Sequence, residues 1–343
     1  MSARFASTSG DGIVYAYDAA GRLLSEASFG RALSFQYDNA SNRTRITWPD
    51  ANYVAYAHDA MNRVDQILEN GATLLADYDY DPVGRRATIV RGNGTVTGFA
   101  YDNASRLTQL AHDLAGGATN DLTLGFAYTD ASQLRLRTAS NDLYNWPRSP
   151  LSRTYERNGL NRYTSVSGVN FSYAGGDGQR GNLTSDGSRT FDYDLEDRLI
   201  SVAGSASMTL GYDPLGRLRQ TVAGGGATQF LYDGDALVAE YDGAGVLQRR
   251  YVHGPGVDEP IVWHQGSGLG DRRYLIADRQ GSIVAENGAA TSLYRYGPYG
   301  EPDAWTGARF RYTGQIALPE VSLYHYKARV YDPVLGRFLQ TDP

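Results

Sequence analysis

The glycine-rich word Gly176-x-Gly178-x-x-Gly181 has the spacing of a dinucleotide-binding turn, in which N–H groups at a helix N-terminus receive a pyrophosphate. It follows a strand-like VNFSYA but leads into NLTSDGSRTFDYD, a turn and another strand, so the helix such a site needs is missing and the word reads as a loop. Asp77, Asp79 and Asp81 alternate along DYDYDPVG like the opening of a calcium loop. Pro82 stands where that loop needs glycine, however, and Thr88 where it needs a bidentate glutamate, so these carboxylates read as the wet face of a strand. The histidines, at 58, 112, 253, 264 and 325, lack the i, i+4 spacing of a zinc-binding helix. There is no Gly-x-Ser-x-Gly elbow, and no cysteine to supply a thiolate or a disulfide. No cofactor or metal is expected, and small-molecule catalysis has no visible machinery.

What these residues sit on is set by composition and by a repeat. The chain has 343 residues, enough for one large all-β domain or two ordinary ones. It carries 40 glycines and 26 tyrosines, the mark of turns and aromatic strands, and Lys327 is its only lysine. The formal net charge is −6 and basic residues alternate with acidic ones, which argues against a nucleic-acid footprint. The start, MSARFASTSGDGIVYAYD, has no apolar signal core, and no stretch approaches the ~18 apolar residues of a membrane-spanning helix. Export would depend on something outside these residues.

Tyr-Asp words recur at Tyr17, Tyr37, His58 (His for Tyr), Tyr80 and Tyr101, then more loosely at Tyr128 and Tyr155, and again at Tyr173, Tyr193, Tyr212 and Tyr232. Before each, apolar residues alternate, as in Leu33, Phe35, Tyr37 and in Phe191, Tyr193, which is the period of a half-buried strand. The aspartates (Asp18, Asp38, Asp81, Asp102, Asp194, Asp213) suit the first position of a turn. Pro82 and Pro214 suit the second, and Gly21, Gly84 and Gly216 the left-handed position that ends it. Asp-x-x-Gly therefore reads as a type I turn running into a glycine bulge, and Arg22, Arg85, Arg106, Arg198 and Arg217 open the return strand. Tyrosine and arginine on either side of a hairpin suggest a cross-strand pair with the guanidinium over the ring. Each unit of ~20 residues fits two strands and two turns, so the units are expected to form one long, curved, antiparallel meander, all-β with few or no helices.

These Y-D-x-x-G-R-L words resemble the YD repeats of RHS proteins, shared by teneurins and the C components of insecticidal Tc toxins. Four further blocks resemble that family's RHS repeat-associated core, in its order: Arg249 to Trp263, Tyr274 to Gly288, Tyr294 to Pro302 and Phe310 to Pro343. The resemblance divides the chain into a repeat array, 1–239, and a core segment, 240–343, without a flexible linker. The irregular SNDLYNWPRSPLSRTYERNG (Ser140 to Gly159) is expected as a longer rim loop.

The resemblance implies a β-sheet spiralling into a hollow shell closed at one end by the core, secreted or at the cell surface, with a C-terminal toxin or effector domain held inside. In many members the core cuts itself as an aspartyl-type protease. Here the chain ends at Thr341-Asp342-Pro343, like the first word of that motif cut short, so Asp342 is carried over as the one candidate catalytic carboxylate. Arg337 and Asp332 are weaker neighbours, and Asp332 reads first as a turn residue. Such chemistry needs two carboxylates sharing a proton, so self-cleavage is expected only in a longer chain. The sequence thus predicts a non-catalytic segment of an open, curved wall, completed by the remaining shell of a longer polypeptide or by a second chain. The alternative is a surface module binding carbohydrate or a receptor through Trp48, Trp146, Trp263 and Trp305.

Overall fold

The computed structural model describes residues 2–4, 12–148, 152–175 and 181–341. Alternation becomes strand as expected: in Arg31–Tyr37, Leu33 and Phe35 turn inward while Ala32, Ser34 and Gln36 face water. Each buried side chain of this size contributes roughly 1.5–3 kcal/mol. Thirteen antiparallel strands, from Ser2–Arg4 to Leu134–Ala139, form a first sheet in strict chain order. A second thirteen-stranded sheet runs from Ser172–Tyr173 to Thr291–Leu293 in the same manner. Helical structure among the described residues is confined to 3-10 turns such as Ala118–Asn120.

The fold is therefore all-β and built of hairpins, but its hydrogen-bonded ladder is divided rather than continuous. The break falls in the irregular stretch, where Pro147 has no N–H to give a ladder and apolar alternation lapses. That stretch is more than a loop. It holds the 3-10 turn Asp142–Tyr144 and begins a three-stranded sheet of Tyr155–Arg157, Tyr163–Val166 and Val169–Asn170.

The turns have the predicted chemistry. Asp18 Oδ1 accepts the N–H groups of Ala20 and Arg22, each at 2.9 Å, and Gly21 N–H closes the turn on Asp18 O at 3.0 Å. The ladder slips by one residue at each tyrosine, as at Ala16/Tyr17, Asp79/Tyr80 and Gly211/Tyr212. Gly21, Gly84 and Gly216 sit at φ of 79°, 87° and 81°, where an L side chain is strained. Units without glycine place Asn62, Ser105 or Asp197 there at φ near 60°. Their side chains accept hydrogen bonds from the preceding unit, for instance Arg85 Nη1 to Ser105 Oγ at 3.0 Å and Asn42 Nδ2 to Asn62 Oδ1 at 2.8 Å, which offsets part of the strain.

The sheets stack face to face. Val238, Val252 and Val262 of the second sheet pack against Leu33, Phe35 and Ile67 of the first. On the opposite face Leu237, Tyr251 and Trp263 meet Phe310, Ile316 and Leu323 of the C-terminal segment. That segment adds a four-stranded sheet, Ile316–Leu318, Leu323–Tyr326, Arg329–Asp332 and Arg337–Phe338. The middle strands of the second sheet are thus buried on both sides, which explains continuous apolar runs such as PIVW in Pro260–Gln265. The second sheet also passes through the 239/240 boundary inside strand Ala236–Asp242.

Polar contacts between the layers join residues far apart in the sequence, from 173 positions for Arg86 and Glu259 to 203 for Arg272 and Glu69. Arg43 Nη1 meets Asp233 at 190 residues' separation, Trp48 Nε1 donates to Val238 O at 190, and His264 meets Glu69 at 195. Arg43 follows the Tyr37 word and Asp233 belongs to the Tyr232 word, so the chain overlies itself after nine repeat steps.

Gly21→Ala, with no atom within 4 Å of the new Cβ, tests the turn alone. It is expected to lower stability by about 1–2 kcal/mol in urea unfolding. Gly98→Ala, equally uncrowded but in a strand at ordinary φ, should leave the midpoint unchanged or slightly raised.

Candidate functional site

The repeat residues assemble into a spine along one rim of the sheets. In most of the turns the aspartate binds its own arginine: Nε to Oδ2 is 2.7 Å for Asp18–Arg22, Asp81–Arg85, Asp102–Arg106, Asp194–Arg198 and Asp213–Arg217, while Asn42 takes the arginine's place beside Asp38. Arg22, through its N–H and then its guanidinium, holds the Asp18 carboxyl below its ordinary range. The guanidinium lies over a tyrosine, but not the one in its own hairpin. Arg22 covers Tyr37 at 5.2 Å, Arg85 covers Tyr101 at 4.4 Å, Arg198 covers Tyr212 at 5.0 Å and Arg217 covers Tyr232 at 5.2 Å. This corrects the cross-strand pairing inferred from sequence. Because the aspartate pins Nε, the planar fork is turned forward onto the next unit, where Arg22 Nη1 also reaches Asp38 O at 2.9 Å. The covered tyrosine reaches back, with Tyr37 OH donating to Leu23 O at 2.9 Å, Tyr80 OH to Val64 O at 2.8 Å and Tyr212 OH to Leu199 O at 2.8 Å. Tyr17, in the first unit, is 46% exposed.

The second constellation joins the second sheet to the C-terminal segment. Arg309 grips Glu240 bidentately, Nε to Oε1 at 2.8 Å and Nη2 to Oε2 at 2.9 Å, while Tyr251 OH donates to Oε1 at 2.5 Å. All three residues are buried. Burial alone would raise the Glu240 carboxyl, but the Arg309 guanidinium outweighs it and holds the group below its ordinary range. Sequence reading missed this pair. Its signal was Glu240, an acid flanked by apolar residues within the strand ALVAEYD. Glu69 was missed in the same way. It takes His264 Nε2 at 2.6 Å and Arg272 Nε at 3.0 Å across the two sheets, and these bonds overcome burial to bring its carboxyl down to about 2.

Towards the end of the described chain, Leu183 N–H donates to Leu339 O at 2.8 Å and Thr341 N–H to Asn182 Oδ1 at 3.1 Å. Asp342 lies outside the described residues, as do Gly176 and Gly178. Asp332 is buried, and its Oδ1 accepts the N–H groups of Val334 and Leu335 at 2.8 and 3.1 Å. Its Oδ2 is held by Arg189 at 2.5 Å. Burial raises its pKa despite Arg189, but its lone pairs are committed to the turn and the ion pair. Arg337 points away from Asp332 in function: it donates to Asn161 O at 2.7 Å and stacks on Tyr163 at 3.7 Å. Beside Thr341 a cavity of about 350 Å³ is lined by Leu218, Tyr232, Phe310, His325 and Gln340. Burial pushes His325 down to about 4, so its imidazole is neutral at pH 7.

Two of the four tryptophans cannot stack on a sugar. Trp48 is 4% exposed and Trp263 1%, because both fill the core between layers. Asp77 accepts from Gln66 Nε2 at 2.8 Å and Asp79 from Thr88 Oγ1 at 2.7 Å, both pairs bridging neighbouring strands. Among the described residues, no cluster of three metal-binding side chains forms.

Comparison with known proteins fits this geometry. A family model described as teneurin YD-shell matches residues 149–343, more than half of the chain, and one described as RHS repeat matches residues 17–52 and 80–119. The tRNA3(Ser)-specific nuclease WapA of Bacillus spizizenii is 25% identical over 90% of this chain and 15% of its own length. Double-stranded DNA deaminase toxin A of Burkholderia cenocepacia is 24% identical over 97% of this chain and 28% of its own. The chain therefore spans well under a third of these relatives. Its fold matches the solved TcdB2-TccC3 structure without hypervariable C-terminal region, with a TM-score of 0.71 at 14% identity, over 97% of this chain and 22% of that one.

Arg309→Met leaves the Glu240 charge buried without its partner and is expected to cost about 3–5 kcal/mol in denaturant unfolding. Because the folded Glu240 carboxyl lies below its ordinary 4.5, the pair's contribution is complete above that pH and is lost as pH falls through the lowered value. The stability gap between wild type and Glu240→Gln should accordingly narrow in acid, and a gap that stays constant from pH 7 to 3 would remove this assignment.

Proposed function

The chain belongs to the teneurin YD-shell family, and from that premise we propose that it is a non-catalytic wall segment of an RHS-type protein that encloses or displays a C-terminal effector domain. One observation carries this reading: the middle strands of the second sheet are buried on both faces, by the first sheet on one side and by the chain's own C-terminal segment on the other. A wall lined by its own plug, and stitched there by Glu240–Arg309 and Arg189–Asp332, suits enclosure better than turnover.

In this reading the Tyr-Asp-Gly-Arg sets are structural, residues 1–239 build wall, and residues 240–343 pass from wall into plug. The partners are an effector and the remaining shell of the same polypeptide. Relatives named as a tRNA nuclease and a DNA deaminase toxin support a toxin-type cargo delivered outside the producing cell. Asp342 is the candidate carboxylate for self-cleavage in a longer chain.

The test is to express the native reading frame through its natural stop, beside Asp342→Asn, and to measure fragment masses and the protease resistance of whatever follows Pro343. A downstream polypeptide that resists protease while the wall is intact, cut free in wild type only, is the expected result. A passenger digested as quickly as free peptide would remove the enclosure reading.

The alternative, carbohydrate binding through exposed aromatic faces, retains only Trp146 and Trp305, which are half-buried. Acrylamide should quench their emission while Trp48 and Trp263 stay protected. Wild type should therefore give a downward-curving Stern–Volmer plot that straightens in a Trp48→Phe/Trp263→Phe variant.

A further inference from the structure

Strand Leu134–Ala139 departs from every equivalent strand before it. It closes the first sheet, pairs with Leu122–Tyr128 on one side, and has no partner on its other edge among the described residues. All six of its residues are exposed.

Its pattern is also inverted. In the return strands of the four preceding units, the residue opposite the second aromatic is apolar and buried, as where Ile89 faces Tyr78 and Leu110 faces Phe99; the first unit has the buried Glu26 opposite Tyr15. The residue before it is polar and outward: Thr88 faces Asp79 and Gln109 faces Ala100. In this strand Arg137 faces Phe126 and Leu136 faces Ala127, so the charge stands on the core side and the leucine on the water side. Leu134 and Leu136 are 42% and 53% exposed. Arg137 has only a 3.8 Å ion pair with Asp278, a carboxylate already accepting the N–H groups of Gln280 and Ser282 at 2.8 and 3.0 Å.

We propose that this free edge receives, by strand addition, an extended segment in which apolar residues alternate with aspartate or glutamate. The unpaired N–H and C=O groups supply the ladder. Leu136 on one face and Arg137 on the other set the chemistry of the incoming strand, since opposite charges directly across a ladder attract and like charges repel. The same rule disfavours a second copy of this chain. In antiparallel self-pairing, Leu136 opposite Leu136 sets Arg135 opposite Arg137, and Leu136 opposite Leu134 sets Arg135 opposite Arg135.

The test uses the full chain and three fluorescent heptapeptides: Thr-Glu-Leu-Glu-Leu-Glu-Thr, the same peptide with lysine for glutamate, and a reordered peptide of the first composition without alternation. Anisotropy should show the alternating glutamate peptide binding best. Arg135→Glu/Arg137→Glu should invert the preference towards the lysine peptide by roughly tenfold. Leu136→Thr should weaken both and, with Leu136 exposed, should keep the wild-type urea midpoint, whereas the charge-reversed variant sets a glutamate beside Asp278 and is compared at a urea concentration where it remains folded. Equal binding of the reordered peptide, or an unchanged preference after charge reversal, would overturn the proposal. So would concentration-dependent dimerisation that Leu136→Thr abolishes, because the edge would then serve a second copy.

Discussion

An aspartate fixes the arginine of its own turn, and that arginine covers the tyrosine of the next. Most of the joints between successive hairpins depend on that forward step. A turn aspartate bound only to backbone amides would make each hairpin a closed unit. By holding Nε of the arginine as well, it aims the other guanidinium nitrogens onto the following ring and carbonyl, so each hairpin is completed by its neighbour. Exposed ion pairs contribute little singly. Here the pair orients a group that makes further contacts, and the return bond from tyrosine to the preceding strand closes the link.

This linkage was only half legible in the sequence. Strands, turns and the left-handed glycine positions follow from residues within one unit, where periodicity and turn chemistry act over a few positions, and Gly21, Gly84 and Gly216 lie where those rules put them. The destination of the arginine was not legible, because a repeated word gives the same spacing to its own tyrosine and, modulo one period, to the next. The layer contacts were hidden for a stronger reason: partners 190 or more residues apart share no local pattern. The clue available was composition in context. Glu240 amid apolar neighbours and the unbroken PIVW both indicate strands covered on two faces, one needing a buried counter-ion. Trp48 and Trp263 misled for the related reason that an aromatic residue in a strand looks the same whether it faces water or a second layer.

Buried charge and buried aromatic area do different work in this architecture. The apolar faces hold the layers together without choosing a register, since valine and leucine pack in many offsets. Glu69 with His264 and Arg272, and Glu240 with Arg309, accept only one partner position, and a misplaced layer would strand charges in the core. The two large sheets and the C-terminal segment are thereby fixed relative to one another.

The nine-step interval between overlying units acts as a ruler. Adding or deleting one unit ahead of both layers, or beyond them, leaves the interval untouched. The same change inside the interval moves every partner by one place and parts Arg43 from Asp233 and Glu69 from His264 together. Repeat arrays ordinarily grow by duplication anywhere along their length. In this chain duplication is silent only outside that interval, so the offset between the overlying layers is inherited as a whole number of units.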